Sequence, residues 1–152
     1  MNIVIMDKSG EKWGKGVENM FLGEYRHALD EKGRLFIPAK LRESLGKHFY
    51  VSKGFDHCLF VYDEAQWAEF SAKLNALSMG QKKNRDIKRF FFSGACEIAC
   101  DKQGRALLAA NLREYAGLSK DTVIVGVGNK AEIWSAEAWQ ARNAASEQMI
   151  EE

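Results

Sequence analysis

With 152 residues, 46% of them apolar and 11% aromatic, the chain can bury a core as one domain or two small ones, which excludes a chain disordered throughout. A formal net charge of +1 excludes a uniformly cationic coat for nucleic acid, so any polyanion has to be met by a local patch. Three cysteines without secretory spacing argue for a reducing compartment, and no apolar run approaches the roughly 20 residues that span a bilayer.

The chain opens with "MNIVIMDKSGEKWGKGVEN", which is polar and rich in Gly and Lys and lacks the basic start and apolar middle of a signal peptide. Phe21, Gly23, Tyr25, His27 and Leu29 then alternate with more polar neighbours, as in a half-buried strand. Asp30-Glu31-Lys32-Gly33 supplies a turn in which Gly33 takes positive φ, and "RLFIP" returns, so a hairpin is expected. Pro38 breaks that strand, and "AKLRESLG" is a short helix closed by Gly46. "FYVSKG" and "CLFVY" come next as extended segments. Asp63 with Gln66 three residues on then makes a capping-box-like start for a helix through Leu77, with Trp67, Phe70, Leu74 and Leu77 on one face. A second helix over 81–92 leads onward.

From there the chain repeats its own plan. "LDEKGRLFIPAKLRESLG" (29–46) has a near-copy 71 positions later, "CDKQGRALLAANLREYAG" (100–117). At this offset Phe21, Gly23, Asp30, Gly33 and Arg34 match Phe92, Gly94, Asp101, Gly104 and Arg105, and Ala39, Leu41, Arg42, Glu43 and Gly46 match Ala110, Leu112, Arg113, Glu114 and Gly117. With one residue more, Val61-Tyr62 falls on Ile133-Trp134 and Trp67 on Trp139. The pattern is β-β-α-β-β-α, twice, in an α+β chain whose closing helix starts at Ser135. A unit of about 45 residues is too small for a comfortable core of its own, so the halves should share one.

In Asp-x-x-Gly-Arg the carboxylate can accept backbone N–H groups across the turn, while the Arg leaves the turn as a strand residue beside it. A turn-stabilising ion pair is the plain reading of one such motif. Turn stability alone needs only a Gly and some polar residue, yet the Arg returns with the Asp in both units. A fixed planar guanidinium suits phosphate or guanine recognition. Local charge agrees, since Lys82, Lys83, Arg85, Lys88, Arg89, Lys102, Arg105 and Arg113 outnumber Asp86, Glu97 and Asp101 across 81–113, while the chain after Lys130 is acidic.

Other constellations carry less. The helix over 81–92 sets basic residues among Ile87, Phe90 and Phe91, and reads as a solvated basic face over an apolar packing face, accessory to any interface. Cys96 and Cys100 share a strand face with Ile98 as buried thiols, Cys58 beside His57 lacks a second ligand pair with zinc-like spacing, and no metal is expected. "GVGNK" (126–130) is a hairpin turn, not a phosphate loop. Trp13, Tyr62, Trp67, Trp134 and Trp139 are core or interface anchors. No nucleophile elbow, His-Glu-x-x-His or dinucleotide loop is present, and His27, His48 and His57 have no partner acid at helical spacing. An enzyme is not expected, nor a cofactor.

The stretches "MFLGEYRHALDEKGRLFIPAKLRE", "RFFFSGACEIACDKQGRALLAANLREYAGL" and "VGVGNKAEIWSAEAW" resemble the MraZ family of bacterial transcriptional regulators over 20–148, whose signature is an Asp-x-x-x-Arg motif in each of two tandem units. The resemblance implies a pseudo-twofold swapped-hairpin β-barrel of the SpoVT-AbrB type with peripheral helices. It implies assembly as a ring-shaped homo-oligomer that binds direct repeats of double-stranded DNA in the promoter of the division and cell-wall gene cluster. It further implies location in the cytoplasm, with the nucleoid, and no membrane association. Carried over by position, Arg34 and Arg105 meet DNA, Asp30 and Asp101 orient them, and Gly33 and Gly104 shape the turns that project Lys32 and Lys102 beside them. The expected division is an extension over 1–19, a first unit over 24–66, a helical connector over 67–94, a second unit over 95–138, and a helix with acidic tail over 139–152. Relatives are expected to begin near Met20, so the extension reads as a translated leader or misassigned start, disordered and outside the barrel. The runner-up function is an antitoxin-like module that neutralises a partner protein while also binding DNA.

Overall fold

The computed structural model describes residues 20–152 and, within the first nineteen, two short strands, β1 (Ile5–Met6) and β2 (Lys12–Trp13), paired antiparallel. The expectations for the leader and for Trp13 otherwise lie outside the described residues.

Local signals set the elements of the first half: β3 (Glu24–Ala28), β4 (Arg34–Phe36), α1 (Ala39–Leu45), β5 (Phe49–Lys53), β6 (Leu59–Tyr62) and α2 (Glu64–Asn75). Pro38 precedes α1 at φ −52°, and Gly46 closes it at φ +81° while its N–H donates to the Arg42 carbonyl at 3.0 Å. The Asp63 carboxylate caps α2 by accepting from the Gln66 N–H at 2.8 Å. After α3 (Lys82–Ser93) the plan repeats as β7 (Cys96–Ile98), β8 (Arg105–Leu107), α4 (Ala110–Tyr115), β9 (Asp121–Gly126), β10 (Ala131–Ser135) and α5 (Ala136–Glu151). The Ser135 hydroxyl caps α5 as Asp63 caps α2, and residues 126–130 turn from β9 into β10.

The expected β3–β4 hairpin exists only at its tip, where Leu29 bridges Leu35 and the Asp30 N–H donates to the Arg34 carbonyl at 2.9 Å. Beyond the tip the two strands part, and each pairs with the other half. β3 lies against β9, β7 lies against β5, and β4 pairs with β8 in a separate antiparallel ribbon. All pairings are antiparallel, and the larger sheet runs β3-β9-β10-β6-β5-β7. Exchanging the halves maps that order onto its own reverse, so a pseudo-twofold axis passes between β10 and β6 and through the Leu35–Ala106 pair of the ribbon.

The six-stranded sheet is covered on both faces. On one side Leu59, Val61, Ile124 and Ile133 pack against the ribbon's Leu35 and Ala106 and against Leu41, Leu45 and Leu112 of α1 and α4. On the other, Phe60, Tyr62, Val123, Val125 and Trp134 meet Leu74, Phe91 and the flanks of α2, α3 and α5. That is why β6 is buried at every position instead of alternating. Leu35 and Ala106, both fully buried, tie the ribbon to the shared core. Burying a Leu-sized side chain contributes about 1.5–3 kcal/mol, and neither half could build this core alone. No described helix is long and apolar enough to cross a membrane.

Candidate nucleic-acid interface

Each Asp-x-x-Gly-Arg turn is built by its own side chain. The Asp30 carbonyl accepts from the Gly33 N–H at 3.0 Å, closing the turn. Its carboxylate Oδ1 accepts from the backbone N–H groups of Lys32 and Arg34, both at 2.9 Å, and Oδ2 accepts from Arg34 Nε at 2.6 Å. The second half repeats this bond for bond. Asp101 Oδ1 accepts from the N–H groups of Gln103 and Arg105 at 2.9 Å, and Oδ2 from Arg105 Nε at 2.8 Å. Both carboxyls are held below the ordinary carboxylate pKa, first by the backbone N–H of the motif arginine and further by its guanidinium. Because the ion pair uses Nε, the two terminal nitrogens of each guanidinium have no partner among the described residues.

Ribbon register then brings the two arginines together. Arg34 lies opposite Leu107 and Phe36 opposite Arg105, so these four side chains share the face that Leu35 and Ala106 turn away from. Arg34 and Arg105 are diagonal neighbours on that face, about 7–8 Å apart by ladder geometry. The turns sit at opposite ends of the ribbon, with Gly33 and Gly104 about 13 Å apart at strand rise. Lys32 and Lys102 are exposed on those turns, one at each end. The outward surface thus carries two guanidiniums flanked by two ammonium groups, with the half-buried Phe36 and the exposed Leu107 between them.

Two residues not singled out from the sequence complete the site. Gly33 has φ +84°, and a Cβ there would lie 2.7 Å from Arg113 Cζ; Gly104 has φ +81°, and a Cβ would lie 2.7 Å from Arg42 Nη1. Each turn therefore rests on an arginine from the short helix of the other half, and Gly is needed both for its φ and for this close approach. Arg113 Nε donates to the Leu108 carbonyl at 3.1 Å, whereas Arg42 Nε is buried with no partner among the described residues, and its guanidinium lies 5.4 Å from the Phe36 ring centre. The available signal was the repetition of Arg42 and Arg113 within matching helices. Their contact with the opposite turn is non-local, and the helix pattern does not reveal it.

The remaining candidates lie elsewhere. Helix α3 packs Phe91 and Ile87 on the sheet face opposite the ribbon, so its basic residues do not join the arginines. Cys58 is buried, which raises its thiol pKa strongly, while Cys96 and Cys100 are half-buried against the ribbon-side core. Tyr62 and Trp134 are buried, and Trp67 and Trp139 pack beside them. His27 meets the Phe36 ring, His48 lies 3.5 Å from Glu97, and His57 contacts the Tyr115 carbonyl, three separate places. No group of three His, Cys, Asp or Glu side chains converges as a metal site among the described residues.

Comparison with known proteins places the chain among relatives. A family model described as "MraZ protein, putative antitoxin-like" matches residues 20–90 and again residues 91–152. The chain is similar to the protein named Transcriptional regulator MraZ of Desulforamulus reducens, 53% identical over 133 residues that cover 88% of this chain and 94% of that one. It is similar to its namesake in Heliobacterium modesticaldum, 53% identical over 133 residues covering 88% and 93%. The namesake in Symbiobacterium thermophilum is 58% identical over 118 residues covering 78% and 86%.

Proposed function

The chain belongs to the MraZ family, and on that premise we propose that it is a DNA-binding transcription regulator, not an enzyme, that meets duplex DNA with the outward face of the β4–β8 ribbon. The observation that carries this reading is the pair of arginines, each held through Nε by its own turn carboxylate, with both terminal nitrogens free among the described residues. A two-stranded ribbon fits the major groove, and a fixed guanidinium is the preferred bidentate donor to guanine O6 and N7 or to phosphate. Arg34 and Arg105 are assigned base or phosphate contact. Lys32 and Lys102 are assigned phosphates, and Asp30, Asp101, Gly33 and Gly104 the shaping of the turns.

In the same reading the sheet and ribbon are the wall of a swapped-hairpin barrel, built from the units 24–66 and 95–138 with the helices outside it. The chain assembles head to tail into a ring in the cytoplasm, and its targets are direct repeats in its own promoter, recurring after about one helical turn so that neighbouring faces engage one side of the duplex. Linked weak contacts then add through effective concentration, and affinity falls steeply with salt.

Fluorescence anisotropy with a duplex from the chain's own upstream region tests the assignment. Arg34→Ala and Arg105→Ala should each weaken binding while leaving the melting temperature nearly unchanged, and a folded double variant that binds at full affinity rejects it. Inserting about 5 base pairs between two repeats should weaken binding more than inserting about 10; equal affinity rejects the ring on direct repeats but not DNA binding. The words "antitoxin-like" in the family description keep one other reading in play, in which a partner protein co-purifies in fixed ratio with the chain. An assembly from its own host whose mass is a whole multiple of the chain's rejects that reading.

A further inference from the structure

The pseudo-twofold axis sets two helices in contrast. In the first half, α2 is covered by α3: Phe70 meets Phe91 edge to face at 5.0 Å, Trp67 meets Phe92, and Leu77, just past the helix, packs into the same cluster. Helix α5 is the counterpart of α2, with Trp139 at the place of Trp67, yet none of its residues is buried. Met149, which falls at the position of Leu77, is 66% exposed, and Ile150 beside it is 76% exposed. Glu147, Glu151 and Glu152 surround this apolar tip.

The opposite surface exists on the same molecule. Phe55, itself 63% exposed, stands at the tip of the β5–β6 loop, and with Ile87, Phe90 and Phe91 of α3 it lines a groove of about 520 Å³. Lys82 and Lys83 border the groove and have no ion-pair partner among the described residues, whereas Asp86, also on its edge, is paired to Arg89 at 2.9 Å. No residue of α5 lines this groove. An acidic apolar tip and a basic apolar groove on one molecule that do not meet each other are complementary between copies.

We propose that the last turn of α5 of one copy, Met149 and Ile150 with their flanking glutamates, seats in the Phe55–Phe90 groove of a second copy, with Lys82 and Lys83 facing the glutamates. The contact is heterologous, so each copy offers one tip and one groove and assembly proceeds head to tail. It rests on the reading that the chain self-assembles, and it supplies the surfaces. It also leaves the ribbon uncovered, because α3 and the ribbon lie on opposite faces of the sheet.

The test uses two full-length variants whose changed side chains are exposed, Met149→Asp with Ile150→Asp and Lys82→Glu with Lys83→Glu. Mass is measured by light scattering after size exclusion, alongside the melting temperature of each variant. Wild type should form a multimer. Each variant alone should be a folded monomer, its self-association weakened about thirtyfold or more, as loss of a central anchor does. Mixing the two should give one 1:1 heterodimer and nothing larger, since the mixture retains a single intact tip and a single intact groove. A wild-type monomer at micromolar concentration, a variant that keeps the wild-type mass, or a mixture without heterodimer overturns the proposal. Binding of each variant to a single-repeat duplex is measured in parallel, because loss there counts against the ribbon assignment and not against the docking surface.

Discussion

The two halves of this chain agree where they face the ribbon and diverge where they face outward. The turns repeat bond for bond, and ribbon strand and short helix recur with them, down to an arginine from each half pressed against the turn of the other. The long helices α2 and α5 share their caps and a Trp but not their packing. Phe70 and Leu74 on α2 fall at the positions of Arg142 and Ser146 on α5, and Leu74 is buried whereas no residue of α5 is. Both halves build the ribbon face together, and asymmetry behind the sheet gives the molecule two unlike ends.

Substitutions that should act equally in both halves break this comparison if they do not. The largest effect is expected at the turn glycines. Gly33→Val and Gly104→Val combine a positive φ with overlap on Arg113 or Arg42 and should each cost about 2–5 kcal/mol, roughly 5–20 °C in melting temperature. Gly46→Val, at φ +81° with nothing within 4 Å, lacks that overlap and should show the cost of the backbone strain alone. Behind the sheet the halves should differ. Leu74→Ala empties a buried site at about 2–5 kcal/mol, while Ser146→Ala should stay within about 0.5 kcal/mol in chemical denaturation.

Finer comparisons sharpen the picture. Arg34→Ala and Arg105→Ala should each weaken duplex binding by about 10- to 100-fold, to similar extents. A single dominant arginine would mean that only one half reads the duplex. Arg113→Ala should destabilise the fold about 1 kcal/mol more than Arg42→Ala, because Arg113 Nε gives up a hydrogen bond whereas Arg42 Nε has none among the described residues to lose. Hydrogen exchange should rise at Gly33 in the first variant and at Gly104 in the second, in each case in the opposite half. The smallest effect is in pH. Asp30 and Asp101 have depressed pKa values, so what they add is complete above the unfolded value of about 3.9 and is lost as pH falls through their lower folded values. The gap in melting temperature between wild type and Asp30→Asn should be flat from about pH 8 to 5 and close below about pH 4.

Local chemistry was legible in the sequence because it is written within a few residues. Asp63 with Gln66, the positive φ of Gly33, the helix closed by Gly46, and the turn at 126–130 depend on neighbours close along the chain, and the structure contains each. The strand partners of β3 and β4 were not legible from the pattern itself, since an alternating strand reads the same whether it pairs with the next strand or with one about 100 residues away. The role of Arg42 and Arg113 was hidden for the same reason. Arg113 belongs in sequence to a short helix and in space to a turn some 80 residues earlier.

Strand exchange also bears on how the chain is made. Glu24 pairs with Val125 and Ala28 with Asp121, so β3 is synthesised roughly a hundred residues before its partner. At about 5–20 residues per second, a nascent chain carries β3 unpaired for some 5–20 s. The first half cannot finish folding on the ribosome in that interval, because the edge it needs has not been translated. Pairing at such sequence separation also raises contact order and slows closure of the shared core. Joining both halves in one polypeptide is what keeps that wait harmless, since the awaited strand arrives tethered to the one that needs it, ahead of any stranger's exposed edge.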